Sequence, residues 1–315
     1  MIERGDLELF GRSLRQAVDG ATGAELDAAL DELGWIDVVR ADPAAGISLL
    51  FSLQGRALAT SSALDRLLAL RLGLEVPAVV LPATGRWAAP GTVTGGRLAV
   101  DGLGTATIGD AGAVLVVAED DGSATTVETG SLDLHPLPGI DPALGLVRVR
   151  GEVALGAGDR TGRVDWSSAV AWGQLAVGHE LVGASRRMLE LARRHALDRV
   201  QFGQPIARFQ AVRHRLAETL VALDLADAAL EAAWLDPTPE SAAIAKAVAG
   251  RAGRTATRHC QQVMGAIGFT TEHDLHRYIR RVLVLEQLFG GTAPLTRHLG
   301  EEILDRRRVP AAIPL

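Results

Sequence analysis

The chain has 315 residues, 48% of them hydrophobic, with 32 Lys and Arg against 38 Asp and Glu and a formal net charge of −6. That balance excludes the basic footprint of a nucleic-acid binder, and no apolar run approaches the roughly 20 residues a membrane-spanning helix needs. The single cysteine, Cys260, excludes an intrachain disulfide framework, and the opening Met1-Ile-Glu-Arg-Gly-Asp lacks the basic and apolar regions of a signal peptide, so the expected location is the cytoplasm.

The length lies near the roughly 250–300 residues at which one core stops growing, so one large or two to three smaller domains are expected. Residues 5–73 read as helical. Leu7, Leu9, Phe10, Leu14 and Val18 recur at helical spacing. Thr22 and Glu25 form a capping-box signature ahead of the stripe Leu26, Ala29, Leu30 and Leu33, with Gly34 as the stop. Ile47 to Leu72 reads as a continuing run of helix formers. Between residues 76 and 156, β-prone segments alternate with Gly, Asp and Pro, which predicts five to seven short strands. Ser167 to Ala196 contains no proline and predicts a helix of about 45 Å. A second helix is predicted from Pro205 to Ala233. A third opens at Thr238-Pro239-Glu-Ser and runs to about Ile267, a fourth is capped by Thr271-Glu-His-Asp, and a fifth starts at Thr292. The expected class is α+β with three domains: helices over 1–80, a middle β domain over 81–157, and a helical bundle over 158–315.

Two segments of the helical half carry chemistry. One is Asp198-Arg199-Val-Gln201-Phe202-Gly203-Gln-Pro205-Ile206-Ala-Arg-Phe209-Gln210; the other is Gln262-Val-Met-Gly265-Ala266-Ile-Gly268-Phe269-Thr-Thr-Glu272. Arginine is a permanently charged planar fork suited to a diphosphate, and phenylalanine offers a flat face to a ring. Small residues at 265–268 let a backbone or a phosphate approach closely. Each segment alone is equally an ordinary helix corner or a glycine C-cap.

In this order and spacing, the two strings resemble those of the acyl-CoA dehydrogenase family, and the α, β, α order agrees. The resemblance implies the family fold: N-terminal helices, a middle β domain and a C-terminal four-helix bundle. It implies FAD as cofactor, acyl-CoA as substrate and an electron-transfer flavoprotein as acceptor. It further implies that Arg199 and Phe202 hold the FAD of a neighbouring subunit. Gln201, Phe209 and Gln210 would line its adenine or diphosphate side, and Gln262, Gly265 and Ala266 would approach it from the second string. Ala266 stands where the family usually has a second glycine. The stretch Leu81 to Gly91 keeps little of the family's flavin-contacting string beyond Thr84.

The family reaction is α,β-desaturation of an acyl-CoA thioester, in which a carboxylate removes the α-proton and FAD takes the β-hydride. The family's usual base position falls at Gly290, in Phe289-Gly290-Gly291-Thr292. Its alternative position, early in the long helix, falls at Gly173. Glycine transfers no proton. Glu286, Asp165 and Glu180 are the carboxylates nearest in sequence; Glu180 lies two helical turns beyond Gly173, about 10 Å along the axis, which is too far. The resemblance is therefore to the base-deficient subunit of a heteromeric enzyme. Its partner would be a second subunit carrying the catalytic Glu, in a heterotetramer acting on bulky sterol side-chain CoA thioesters. The alternatives are a self-sufficient homomeric dehydrogenase using Glu286 or Asp165, and a non-enzymatic scaffold or acyl-CoA binder. No metal is expected, since His273, Asp274 and His276 lack a second ligand cluster. The Arg186, Arg187, Arg193, Arg194 patch suits either CoA phosphates or paired acidic neighbours. Arg251, Arg254 and Arg258 share one helical face, and Cys260 reads as a small core residue.

Overall fold

The computed structural model describes residues 4–156 and 160–307. Five helices open the chain: α1 (Arg4–Gly20), α2 (Ala24–Glu32), α3 (Trp35–Ala41), α4 (Pro43–Ala57) and α5 (Ala63–Leu72). Their apolar stripes, including Leu14, Leu26, Leu30, Trp35, Ile47 and Leu50, bury together as one core. Gly34 takes a left-handed φ of 64° at the junction after α2, as its position predicts.

Two local expectations fail here. Thr22 does not cap α2, whose N-cap is Gly23 with no side-chain bond. Its hydroxyl is engaged by Thr60, accepting from the Thr60 backbone N–H at 3.0 Å. The run from Ile47 to Leu72 is not continuous either. Leu58 adopts a left-handed φ of 57° and ends α4, while the Asp27 carboxylate accepts from Ser62 N–H and fixes the intervening loop.

The β layer contains two antiparallel sheets. One has the order β1 (Gly91–Thr94), β2 (Arg97–Gly104), β6 (Val147–Ala154), β5 (Asp133–Pro136). The other has the order β3 (Ala113–Val117), β4 (Ser123–Glu128), β7 (Arg160–Arg163). Among the described residues, six of these strands lie within 76–156, where five to seven were expected, and β7 lies beyond it, in the stretch expected to open the helical bundle. Gly95 and Gly96, with φ of 58° and 77°, form the two-residue turn between β1 and β2. The β-prone run from Val76 to Leu81 makes only single bridges, Val79 to Leu115 and Leu81 to Leu103.

The helical half is built on α6 (Trp166–Asp198), whose 33 residues span about 50 Å. It crosses α4 at close range, because a Cβ on Gly55 would overlap the Glu180 carbonyl and one on Gly183 the Ser52 carbonyl. After α6 the chain forms a small hairpin, β8 (Val200–Gln201) and β9 (Gln204–Pro205), and then a 3-10 turn, Ile206–Arg208. Pro205 therefore does not start a helix. It pairs with Val200, and α7 begins at Gln210 and runs to Leu235. α8 (Pro239–Met264) carries the expected start, with Thr238 and Ser241 bonded reciprocally as a capping box. It ends before Ile267, because Gly265 at φ 64° turns the chain into a 3-10 segment through Phe269. α9 (Leu275–Leu285) is not capped by Thr271: Asp274 is its N-cap without a side-chain bond, and His273 Nδ1 accepts from Leu275 N–H. α10 (Thr292–Arg306) starts where expected. Among the described residues, no helix is long and apolar enough to cross a membrane.

Candidate functional site

Gly173 and Gly290 meet around one loop, residues 286–291, between α9 and α10. Phe289 at φ 53° and Gly290 at φ 98° turn the chain. Three elements hold them. Lys246 of α8 donates through Nζ to the carbonyls of Glu286 (3.1 Å) and Gly290 (3.3 Å). Gln174 of α6 donates to the Phe289 carbonyl at 3.0 Å, and Gly85 N–H donates to the Gln287 carbonyl at 3.0 Å. The loop thereby drives the Phe289 ring, 1% exposed, against α6.

Both glycines are filled by aromatic rings. A Cβ on Gly173 would stand 2.8 Å from Phe289 Cε1, and one on Gly290 would stand 2.9 Å from Trp87 Cε3. Trp87 is fixed in turn: Trp166 Nε1 donates to its carbonyl at 3.2 Å, and its ring packs on His298 at 5.3 Å. A carboxylate side chain at either position would displace a ring, and at Gly290 it would also adopt a backbone conformation rare for L-residues.

The three carboxylates nearest in sequence are committed elsewhere. Glu286 is buried and accepts from Thr292 N–H at 2.8 Å and from Arg254 at 2.7 Å. Burial works to raise its pKa, but the Thr292 hydrogen bonds and the Lys246 and Arg254 charges outweigh it and hold the carboxyl below the usual range. Asp165 is the N-cap of α6, accepting from Ser167 Oγ at 2.8 Å and Ser168 N–H at 3.1 Å; these bonds depress its pKa. Glu180, buried within α6, binds Arg281 at 3.1 Å. A cleft of about 620 Å³ lies beside the loop, between the 87–89 segment and helices α6, α8 and α10. Gln174 lines it, and its Oε1 is buried without a partner.

The two motif strings occupy two separate surfaces. Phe202 and Gly203, with φ of 52° and 76°, form the tip of the β8–β9 hairpin. The Phe202 ring is 91% exposed and meets Phe209 edge-on at 6.0 Å. Arg199 and Gln201 are exposed on the same hairpin, and Gln210 opens α7 beside it. Gln262, Gly265 and Ala266 line a groove of about 630 Å³ along α8, together with Arg254, Arg258 and Phe269. No hairpin residue lines this groove, so one chain does not join the two strings in one cavity.

Several of the other sequence candidates resolve as packing and pairing. Arg186 binds Asp224 and Asp227, and Arg187 binds Glu190. Cys260 is fully buried, and burial pushes its thiol pKa up to about 12. His276 Nδ1 lies 2.8 Å from the His273 carbonyl oxygen. Sequence reasoning missed Trp87 and Phe289 as the groups that shape the site. Lys246, the only lysine in the chain, was the one compositional signal available, sitting in an Ala-rich helix.

Residues 162–304 match the model of the acyl-CoA dehydrogenase C-terminal domain. The acyl-CoA dehydrogenase IpdE2 of Mycobacterium tuberculosis is 33% identical over 189 residues, 60% of this chain and 57% of that protein. The match to this relative thus spans less than two thirds of its length. The structure of the ChsE4–ChsE5 complex of Mycobacterium tuberculosis superposes with a TM-score of 0.76 at 23% identity, covering 98% of this chain and 99% of that one. A Tcur3481–Tcur3483 steroid ACAD variant superposes with a TM-score of 0.77 at 18% identity, covering 96% and 99%. At these identities the superpositions establish the fold.

Proposed function

We propose that the chain, whose residues 162–304 match the acyl-CoA dehydrogenase C-terminal domain, is the base-deficient subunit of a heteromeric acyl-CoA dehydrogenase, completing an FAD site for a partner subunit that carries the catalytic Glu. The observation that carries this reading is the filling of both base positions: Gly173 by Phe289 and Gly290 by Trp87. The substrate class is an acyl-CoA thioester with a bulky sterol side chain, and the acceptor is an electron-transfer flavoprotein. Two of the similar structures are named as two-protein pairs, one of them a steroid ACAD, which supports the heteromeric and sterol readings.

The residues fit a cofactor shared across an interface. The exposed Phe202 ring offers a flat apolar face that gains by covering a planar group. Arg199 beside it supplies a permanent cation for a diphosphate, and Gln201, Phe209 and Gln210 extend that surface. On the second surface, Gln262 offers an amide, while Gly265 and Ala266 leave room for close approach in a groove without carboxylates. FAD, when bound, supplies the hydride acceptor. This chain's own residues bind and orient it and contribute no proton acceptor at 173 or 290.

The test is to purify the chain alone and together with an acyl-CoA dehydrogenase subunit that carries the catalytic Glu, then measure flavin stoichiometry and desaturation. The expected result is flavin and activity only in the pair. Stoichiometric flavin and desaturation by this chain alone overturns the proposal.

A further inference from the structure

We infer that Arg258 is a further cofactor-binding residue of the α8 groove, supplying a cation to the adenosine diphosphate part of its ligand. The inference rests on the reading that Gln262, Gly265 and Ala266 face a neighbouring subunit's FAD. Helical periodicity puts residues 254, 258 and 262 on one face, and all three line the same groove of about 630 Å³, whose lining includes no carboxylate.

The two arginines differ in what they have left to give. Arg254 binds Glu286 at 2.7 Å, and that carboxylate side chain is only 7% exposed, so the Arg254 charge is already matched. Arg258 is exposed and makes no hydrogen bond or ion pair among the described residues. Beside it Thr257 also lines the groove, and its Oγ1 is buried without a partner. An unmatched guanidinium in a concave site, next to an unsatisfied hydroxyl, creates a positive field that an anion with several acceptor oxygens would satisfy. A diphosphate presents such oxygens to the planar fork. Phe269 on the wall, 72% exposed, offers an apolar face to the attached base.

FAD and CoA both contain adenosine diphosphate, so the experiment measures both. The flavin-loaded assembly of this chain and its partner is prepared with Arg258→Gln, Arg199→Gln and Arg251→Gln, and FAD and CoA affinities are titrated separately at several salt concentrations. Arg251→Gln removes the same charge from the same helix outside the groove. The expected result is about a tenfold loss of FAD affinity for Arg258→Gln, the effect of one charge-assisted hydrogen bond. Its salt dependence should also be shallower, while CoA affinity and the Arg251→Gln control stay unchanged. Unaltered FAD affinity in Arg258→Gln, with a loss in Arg199→Gln, overturns the inference and leaves the function standing. A loss of CoA rather than FAD affinity overturns the assignment of the ligand. If neither Arg199→Gln nor Arg258→Gln weakens FAD, both the function and the inference fall.

Discussion

The Phe289 ring lies against Gly173, so close that a Cβ on the glycine would stand 2.8 Å from two of its ring carbons. The two residues are 116 positions apart, yet each explains the other. Glycine at 173 makes the space that buries Phe289, and Phe289 makes any side chain at 173 unaffordable without repacking. Trp87 stands in the same relation to Gly290. The absence of a carboxylate at these two positions is thus built into the packing, and a single substitution does not restore it.

Gly290→Glu tests that relation directly. The new side chain meets Trp87 and Leu295 and must take a φ near 98°. Overpacking of this kind costs about 1–3 kcal/mol, and a left-handed non-glycine residue adds about 1–3 more. We expect a lower thermal midpoint and no desaturation by the chain alone. Gly290→Glu with Trp87→Ala should recover part of the stability, since it removes the Trp87 clash and leaves the Leu295 contact and the backbone strain. A Gly290→Glu chain as stable as its parent and active by itself would contradict the packing argument.

Asp65 gives a pH signature to the junction between α5 and the β layer. It is fully buried, accepting from Val79 N–H at 3.0 Å and from Thr105 Oγ1 at 2.6 Å. Burial pushes its pKa up to about 6, against the lowering effect of those bonds. The folded state therefore binds the proton more tightly than the unfolded chain, whose value is 3.8. The stabilising contribution is full below 3.8, declines as pH rises, and is gone above about 6. At about 1.4 kcal/mol per pH unit, the span is on the order of 3 kcal/mol. Asp65→Asn removes this slope, so denaturant titrations at several pH values should show the variant gaining on the parent between pH 4 and 6.

The same residues show what a linear reading can reach. Thr238-Pro239-Glu-Ser announces α8 because all its bonds close within four residues. The proline-free run of α6 is legible for the same reason, and the Arg199 and Gln262 strings are recognisable as strings. Thr22 and Glu25 carry an equally good local signature that fails, because Thr60 takes the hydroxyl first. The break at Leu58 is illegible because a leucine, rather than a glycine, holds the left-handed turn. The plugging of the site belongs to pairs such as Phe289 with Gly173, which only tertiary packing brings together.

Lys246 should impose the opposite pH dependence in the alkaline range. Its ammonium is buried, and desolvation pulls its pKa down to about 7, although Glu286 nearby favours the charge. Between about 7 and 10.5 the unfolded chain holds a proton that the folded chain has lost, so stability rises with pH across that window. Lys246→Met should flatten this rise. Because Lys246 is the only lysine, amine-reactive labelling offers a second measurement. In the native chain, mass spectrometry should find the 246 side chain unlabelled, and labelling should appear in step with unfolding. Rapid labelling under native conditions would mean that the Glu286–Gly290 loop is not held as described.

Arg281 is the corresponding clamp on the other side of α6. Its guanidinium is 1% exposed and donates to Asp141 at 2.6 Å, to Glu180 at 3.1 Å and to the Ala59 carbonyl at 3.2 Å. It thus ties α9 to α6, to the loop after β5 and to the α4–α5 connection. Arg281→Met keeps much of the volume but leaves two carboxylates buried without their cation. Removing one side of such a pair costs about 3–5 kcal/mol, more than the intact pair contributes. Burial already raises the Glu180 pKa, with Arg281 opposing it. Without Arg281 the value climbs further, so the variant's folded state favours the protonated acid. Its deficit should therefore be largest at neutral and alkaline pH and shrink as pH falls and Glu180 takes up a proton. Adding Glu180→Gln and Asp141→Asn should return most of the lost stability at pH 8 and little at pH 5, as measured by urea unfolding. Equal deficits at both pH values would show that Arg281 acts through its packing alone and not through its charge.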